Sequence, residues 1–296
     1  WLDETTTPKA SISAQDLSDL VAGFGKVVLP RERLYFGVES DINSNGVVDV
    51  ILSPLVGKSA MAYVSPCDLL DPKVVTYCTH SNQMELIYLS PPSSLSPPYN
   101  TAKALLETIA HEFQHAIYFH RKFVKNNITS VNENPYITEG LSALAQDLSG
   151  YQAGNLYVQM MTLQKHDVLA VPNLLSAKIG SYVPQPNDGY MRGGGYFLMR
   201  YMFDQSGGES LDTKGMPVDK GGLTWLHKYI DSKDTGETNA TKTMGMTLDQ
   251  LSRQFWTAMA LSNRGPSGAA INSDKRYNFL PTTSDPFTKR QRGCNT

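Results

Sequence analysis

At 296 residues, with 41% hydrophobic and 18% charged side chains, the chain has the composition of an ordinary globular protein of one large domain or two lobes. Its 26 basic and 28 acidic residues leave a net charge of −2, which excludes a basic field that would recruit nucleic acid or an anionic membrane surface. No apolar run approaches the ~18 residues of a membrane span.

Residues 1–12 are polar and rich in Thr and Ser, and read as a loosely held arm. The chain opens Trp-Leu-Asp-Glu-Thr-Thr-Thr, without the charged and apolar segments of a leader, so the protein is either cytosolic or one whose leader is gone. Ser13-Ala-Gln-Asp16 followed by Leu17, Leu20 and Val21 predicts a helix from about residue 13, broken or kinked around Gly23, Gly25 and Pro30. A second helical piece is expected over residues 31–36.

The stretch Asp41-Ile-Asn43-Ser-Asn45-Gly46-Val-Val-Asp49 places oxygen side chains at positions 1, 3, 5 and 9, with Gly at 6. That is the first part of a calcium-binding loop. Position 12 is Leu52 rather than a bidentate Glu, and the next residues alternate like a strand. Two readings therefore stand. Asp41, Asn43, Asn45 and Asp49 hold calcium, or they form a turn whose side chains bond their own backbone.

Residues 50–54, 61–65 and 84–89 read as strands. Between the last two, Cys67 and Cys78 bracket a Pro-containing loop, and their spacing predicts a disulfide, hence an oxidising compartment. Cys294 stands alone. Pro91, Pro92, Pro97 and Pro98 then give a rigid connection into a helix. The first hundred residues are expected to be mostly sheet and the remainder mostly helix, with subdomains at 1–100 and 101–296. Beyond residue 130, Asn134-Pro135 reads as the end of one segment. Helices are expected from about residue 136, with Thr138 as a cap, and at 152–163, 197–203, 223–230 and 246–261. Residues 169–187 are expected to be loop-rich, and the tail from Gly265 is polar.

Chemistry concentrates at His111-Glu112-Phe113-Gln114-His115. Two His four apart on a helix face the same way and can share one metal ion, with Glu112 beside them to take a proton from a metal-bound water. Ala104, Leu105, Ile109, Phe113, Ala116 and Ile117 recur at helical spacing around them. A chance HExxH is expected only roughly 0.005 times in such a chain, so coincidence is a poor explanation. Catalytic zinc takes three protein ligands. Glu139, after a connection of 23 residues, is the best third; His120, Asp147 and His166 are the alternatives. His120 lies about 180° round the helix from His111. Residues 118 and 121 are Tyr and Arg, so the metzincin pattern with a third His is absent.

The pair His111 and His115 with Glu139 in Thr-Glu-Gly-Leu-Ser-Ala-Leu resembles the Glu-zincin metalloproteases related to thermolysin. More narrowly, the chain is similar to the hyicolysin family of secreted bacterial zinc proteases. The likeness rests on the Asp41–Asp49 loop and on residues 81–88, 109–115 and 139–148, and extends over about residues 15–210. It implies an α+β zincin-type fold, in which a mixed, largely antiparallel N-terminal sheet packs on a helical part with the active-site helix between them. It also implies one catalytic zinc on His111, His115 and Glu139, with Glu112 as the base. Relatives in this group often supply a Tyr or His to the oxyanion. Tyr190, in Tyr-Met-Arg-Gly, takes that role here, with Tyr196 second. One departure is Ala143, where thermolysin-like enzymes carry an acid that orients a histidine. Gln146 or Asp147 could hold a ligand His instead.

The expected function is zinc-dependent hydrolysis of peptide bonds in a protein or peptide substrate, by a secreted, monomeric endopeptidase whose leader has been removed. The alternative is a metal-containing binding or adhesion module with little turnover. Residues 84–89 are either an exposed edge strand able to bind extended peptide or a buried central strand. Asn127-Ile-Thr129 and Asn239-Ala-Thr241 fit glycosylation sequons.

Overall fold

The structure, a computed structural model, describes residues 1–5, 11–58, 60–126, 133–151, 171–175, 188–262 and 272–294, with the backbone alone at 172–173 and 188–191. The helix expected at 152–163, His166 and Asn127 lie outside the described residues. Helices and strands are both present, so the composition is α+β. Among the described residues no helix is long and apolar enough to cross a membrane. The chain divides into two compact units, Trp1–Ser130 and Val131–Thr296.

In the first unit, α1 (Ala14–Gly23) starts where Ser13 caps it, its hydroxyl accepting from the Asp16 N–H at 3.0 Å. Gly25 does not break the chain direction. A π-helical turn, Phe24–Val28, carries it directly into α2 (Leu29–Phe36), with Pro30, which has no N–H to give the preceding turn, at the junction. Strands β1 (Asp49–Leu52), β2 (Ala62–Tyr63) and β3 (Leu86–Leu89) form one sheet in the order β1-β3-β2. It is mixed, with β1 parallel and β2 antiparallel to β3. The stretch 84–89 is thus the buried centre of the sheet rather than a peptide-binding edge. Ile87 and Leu89, on one face, have no exposure, and on the other face Leu86 is buried while Tyr88 is half-buried. The expected N-terminal arm is held at residues 1–3: Leu2 bridges Leu52 in parallel and covers the outer edge of β1. A disulfide joins Cys67 and Cys78.

Helix α3 (Ala102–Tyr118) is capped by Thr101 and belongs to this unit, which extends 30 residues past the expected boundary at 100. The reason is its apolar stripe. Leu105, Ile109, Phe113 and Ile117 are buried against α1, α2, the π turn and the sheet. Phe24 meets Phe113 edge-on at 5.4 Å.

The second unit begins with α4 (Pro135–Leu148). Asn134-Pro135 starts this helix instead of stopping a segment: the Asn134 side chain accepts from the Tyr136 N–H at 2.8 Å, and Pro135 occupies the first turn. Thr138 is not the cap; its hydroxyl donates to the Pro135 carbonyl. There follow α5 (Val171–Leu175), within the stretch expected to be loop-rich, and α6 (Asp188–Gln205). A hairpin of β4 (Glu209–Leu211) and β5 (Pro217–Asp219) leads to α7 (Gly222–Asp231), α8 (Gly236–Met244) and α9 (Leu248–Leu261). A capping box of Thr247 and Gln250 starts α9. A short pair, β6 (Thr283–Ser284) and β7 (Gln291–Arg292), ends the described chain. Asn239 is fully buried and donates to the Tyr229 carbonyl at 2.9 Å, so the 239–241 sequon is used for packing.

The polar tail is not a solvated one. Asp147, with no exposure, accepts from Tyr196 (3.0 Å), Arg200 (2.9 Å) and the Gly293 N–H (2.8 Å). Arg292 donates to the Leu148 carbonyl at 2.7 Å and pairs with Glu209. Burial alone would pull the Arg200 guanidinium's pKa down; Asp204 and Asp147 outweigh that and hold it well above its ordinary value. Burial also pushes the Tyr196 phenol and the Cys294 thiol well up, so both stay protonated. Removing the central carboxylate would take one of its two acidic partners from the buried Arg200 guanidinium and leave the Tyr196 hydroxyl and the Gly293 N–H without their acceptor. Asp147→Ala is expected to cost about 3–5 kcal/mol in chemical denaturation. Arg253→Ala, which breaks the exposed Arg253–Asp249 pair, is expected to cost no more than about 1 kcal/mol. Equal effects of the two changes would contradict the assignment of Asp147 as a buried hub.

Candidate metal centre

The motif helix is α3, and its cap and apolar stripe fix the rotation that sets the two imidazoles side by side. The His111 and His115 rings lie 4.8 Å apart between centroids and nearly perpendicular. His115 and Glu112 are both only 8% exposed; His111 is more open. Directly after Tyr118 the helix widens into a second π turn, Phe119–Val124. Phe119 stacks on the His115 ring, centroids 5.8 Å apart and planes within 11°. That contact restricts the ring before any ion arrives. π turns of this kind recur beside functional sites. His120, the first alternative ligand, is half-buried within this turn, and burial lowers its pKa. Its buried Nδ1 has no hydrogen-bond partner among the described residues, and it is not in the group below.

Glu139 sits on the second turn of α4, beside a close helix contact. A Cβ built on Gly140 would lie 2.5 Å from the Gly195 carbonyl carbon, and one on Gly195 would lie 2.1 Å from the Tyr136 carbonyl oxygen. Both are distances that real Cβ atoms do not adopt, so α4 and α6 can approach this closely only through glycine. One turn before Gly195, Arg192 pairs with Glu139. Its Nε donates to Oε2 at 3.0 Å and its Nη2 donates to the same oxygen.

Among the described residues, one group of His, Cys, Asp or Glu side chains could hold a metal ion: His111, His115 and Glu139, whose ligand atoms all lie within 4.8 Å of one another. Two imidazoles and one carboxylate are a donor set suited to a divalent transition metal. The residues present fit a metal.

The other expected site residues are placed differently. Tyr190 lies in the first turn of α6, with its side chain outside the described residues. Tyr196 is fully buried and spends its hydroxyl on Asp147, so it is a packing residue and not an oxyanion donor. Asp147, expected as a partner for a ligand His, serves Tyr196, Arg200 and Gly293 instead. The Asp41–Asp49 loop bonds its own backbone. Asp41 accepts from the Gly46 N–H at 3.0 Å, Asn43 from Asn45 and Asn45 from Val47, while Asp49 accepts from the Trp1 indole at 2.8 Å. Arg192 was given no role by the sequence, because nothing in its spacing from Glu139 signals that the two side chains meet.

The glycine contact carries the next prediction. Gly195→Ala should destabilise the protein by about 1–3 kcal/mol in thermal or chemical unfolding, and should weaken metal uptake by displacing Glu139. Gly25→Ala, where nothing lies within 4 Å of the added Cβ, should be neutral or stabilising. A neutral Gly195→Ala would show that the helices can separate freely.

Compared with known proteins, the chain matches no protein-family model and no curated protein.

Proposed function

We propose that the protein is a zinc-dependent peptidase of the Glu-zincin type, similar to the hyicolysin proteases, acting outside the cytosol on protein or peptide substrates. One observation carries the reading: the HExxH helix and Glu139 contribute ligand atoms to a single compact group, while Glu112 lies on the same helix, next to His111. A purely structural metal needs no such carboxylate. The Cys67–Cys78 disulfide supports an oxidising compartment.

His111, His115 and Glu139 would hold the ion. When bound, zinc polarises a carbonyl and makes water acidic near neutral pH. Glu112 supplies the base. It takes a proton from the water that attacks the scissile carbonyl carbon, and returns it to the leaving amine nitrogen as the C–N bond breaks. Its near-complete burial keeps bulk water from competing for that proton. The His115 ring, stacked on Phe119, stays in register with His111 through both transfers. The Asp41–Asp49 loop is explained by its own backbone bonds, and calcium is not part of the proposal.

Elemental analysis of the purified chain should give about one zinc. Casein hydrolysis should be abolished by a chelator and restored by zinc. Glu112→Gln should retain the metal and lose activity by about 10²–10⁴-fold. Wild type and Glu112→Gln that both bind zinc, yet are equally inert on casein and on broad peptide mixtures, would sink the peptidase reading in favour of a metal-containing binding module.

A further inference from the structure

Arg192 treats the two oxygens of the Glu139 carboxylate differently. Arg192 donates to Oε2 from both Nε and Nη2. A guanidinium laid side-on against a carboxylate would give one donor to each oxygen. Here both donors converge on one, so Arg192 grips a single corner of the carboxylate.

The grip is built by backbone geometry as much as by side-chain reach. Gly140 follows Glu139 directly, and Gly195 lies one turn after Arg192. The contact of Gly195 with Gly140 and with the Tyr136 carbonyl leaves no room for a Cβ on either side. Where the helices touch, neither can slide or lift without losing packing, so Arg192 and Glu139 are delivered to each other. The pair is not deeply buried: the Arg192 side chain is 41% exposed and that of Glu139 20%. At that exposure an ion pair contributes little to folding stability. Its value lies elsewhere, in fixing the direction of a carboxylate that belongs to the metal group.

We propose that Arg192 is a positioning residue for the metal: it holds Glu139 by Oε2 and so directs the other oxygen to the ion as a one-oxygen ligand. An unheld carboxylate would rotate, and would bind the ion through both oxygens or neither. The proposal rests on the metal-site reading but not on peptidase activity. Outer partners of this kind typically contribute 10–100-fold to metal affinity.

The test is zinc affinity of the full chain, measured by competition with a chromophoric chelator, together with the absorption spectrum of the cobalt-loaded protein. Arg192→Ala should bind zinc about 10–100-fold more weakly, while the metal-free protein melts within a few degrees of wild type. Arg192→Lys keeps the charge without the converging pair of donors and should recover only part of that affinity. In both variants the cobalt bands should weaken as the carboxylate adds its second oxygen and the coordination number rises. A merely structural role would change the melting temperature and leave the cobalt spectrum alone. Should Arg192→Ala fail to fold, Arg192→Lys carries the test through the same two readouts. Zinc affinity in Arg192→Ala equal to or tighter than wild type overturns the proposal, the latter showing that Arg192 competes with the ion. If wild-type zinc binding is no stronger than that of His111→Ala, the metal site itself is wrong and the role of Arg192 falls with it.

Discussion

The close approach of α4 and α6 is the constraint on which the second unit depends. Gly140 and Gly195 permit it, and everything polar along the crossing follows. Arg192, Tyr196, Arg200 and Asp204 stand four residues apart on α6, so they form one slowly turning stripe along the helix. The stripe meets acids of α4 at two levels. At the half-exposed level Arg192 takes Glu139; at the buried level Tyr196 and Arg200 take Asp147. The same helix pair thus uses one geometry for two ends. Deep in the unit it neutralises a buried carboxylate, and towards the solvent it pairs with one that belongs to the candidate metal group.

The buried level explains the tail. Asp147 has two oxygens and three strong donors, and one of those donors is the Gly293 backbone. Arg292 then caps the carbonyl of Leu148, at the end of α4. The last described residues therefore complete the hydrogen bonding of a helix more than a hundred positions earlier. Buried charge of this kind is costly unless every partner is present, and it ties the position of α4, including Glu139, to the integrity of the tail.

What the sequence discloses and what it hides divide along the range of the interaction. The motif helix is legible because its signals are local: an apolar stripe and two His one turn apart. The three strands, the helix expected at 246–261 and the Cys67–Cys78 bridge are legible for the same reason. Asn134-Pro135 reads as a stop, and wrongly, because the same dipeptide that ends one segment can also cap the next helix. Glu139 could be singled out from its Gly-Leu-Ser-Ala surroundings, but its partner Arg192 could not. A contact between residues 53 apart depends on two glycines whose spacing carries no periodic signal. Tyr196 and Asp147 read as candidates for chemistry because both are polar; the structure pairs them with each other in the core.

The metal group is consequently held with unequal firmness. Its two imidazoles ride on a single helix, one turn apart, and the His115 ring is stacked against Phe119 in the π turn. Their relative position is set by local backbone geometry and costs little further entropy to fix. The carboxylate is held through a longer chain of conditions: a cap at Asn134, two glycines, an arginine and, at the far end of α4, a buried hub closed by the tail. Each is a place where a substitution remote from the ion would be felt at it. The His pair carries the local half of the candidate metal group, whereas the setting of Glu139 within its own unit is decided along α4 and α6. In the proposed peptidase, hydrolysis would depend on that third donor, because a group that surrounded the ion too fully, or too loosely, would leave Glu112 no water to work on.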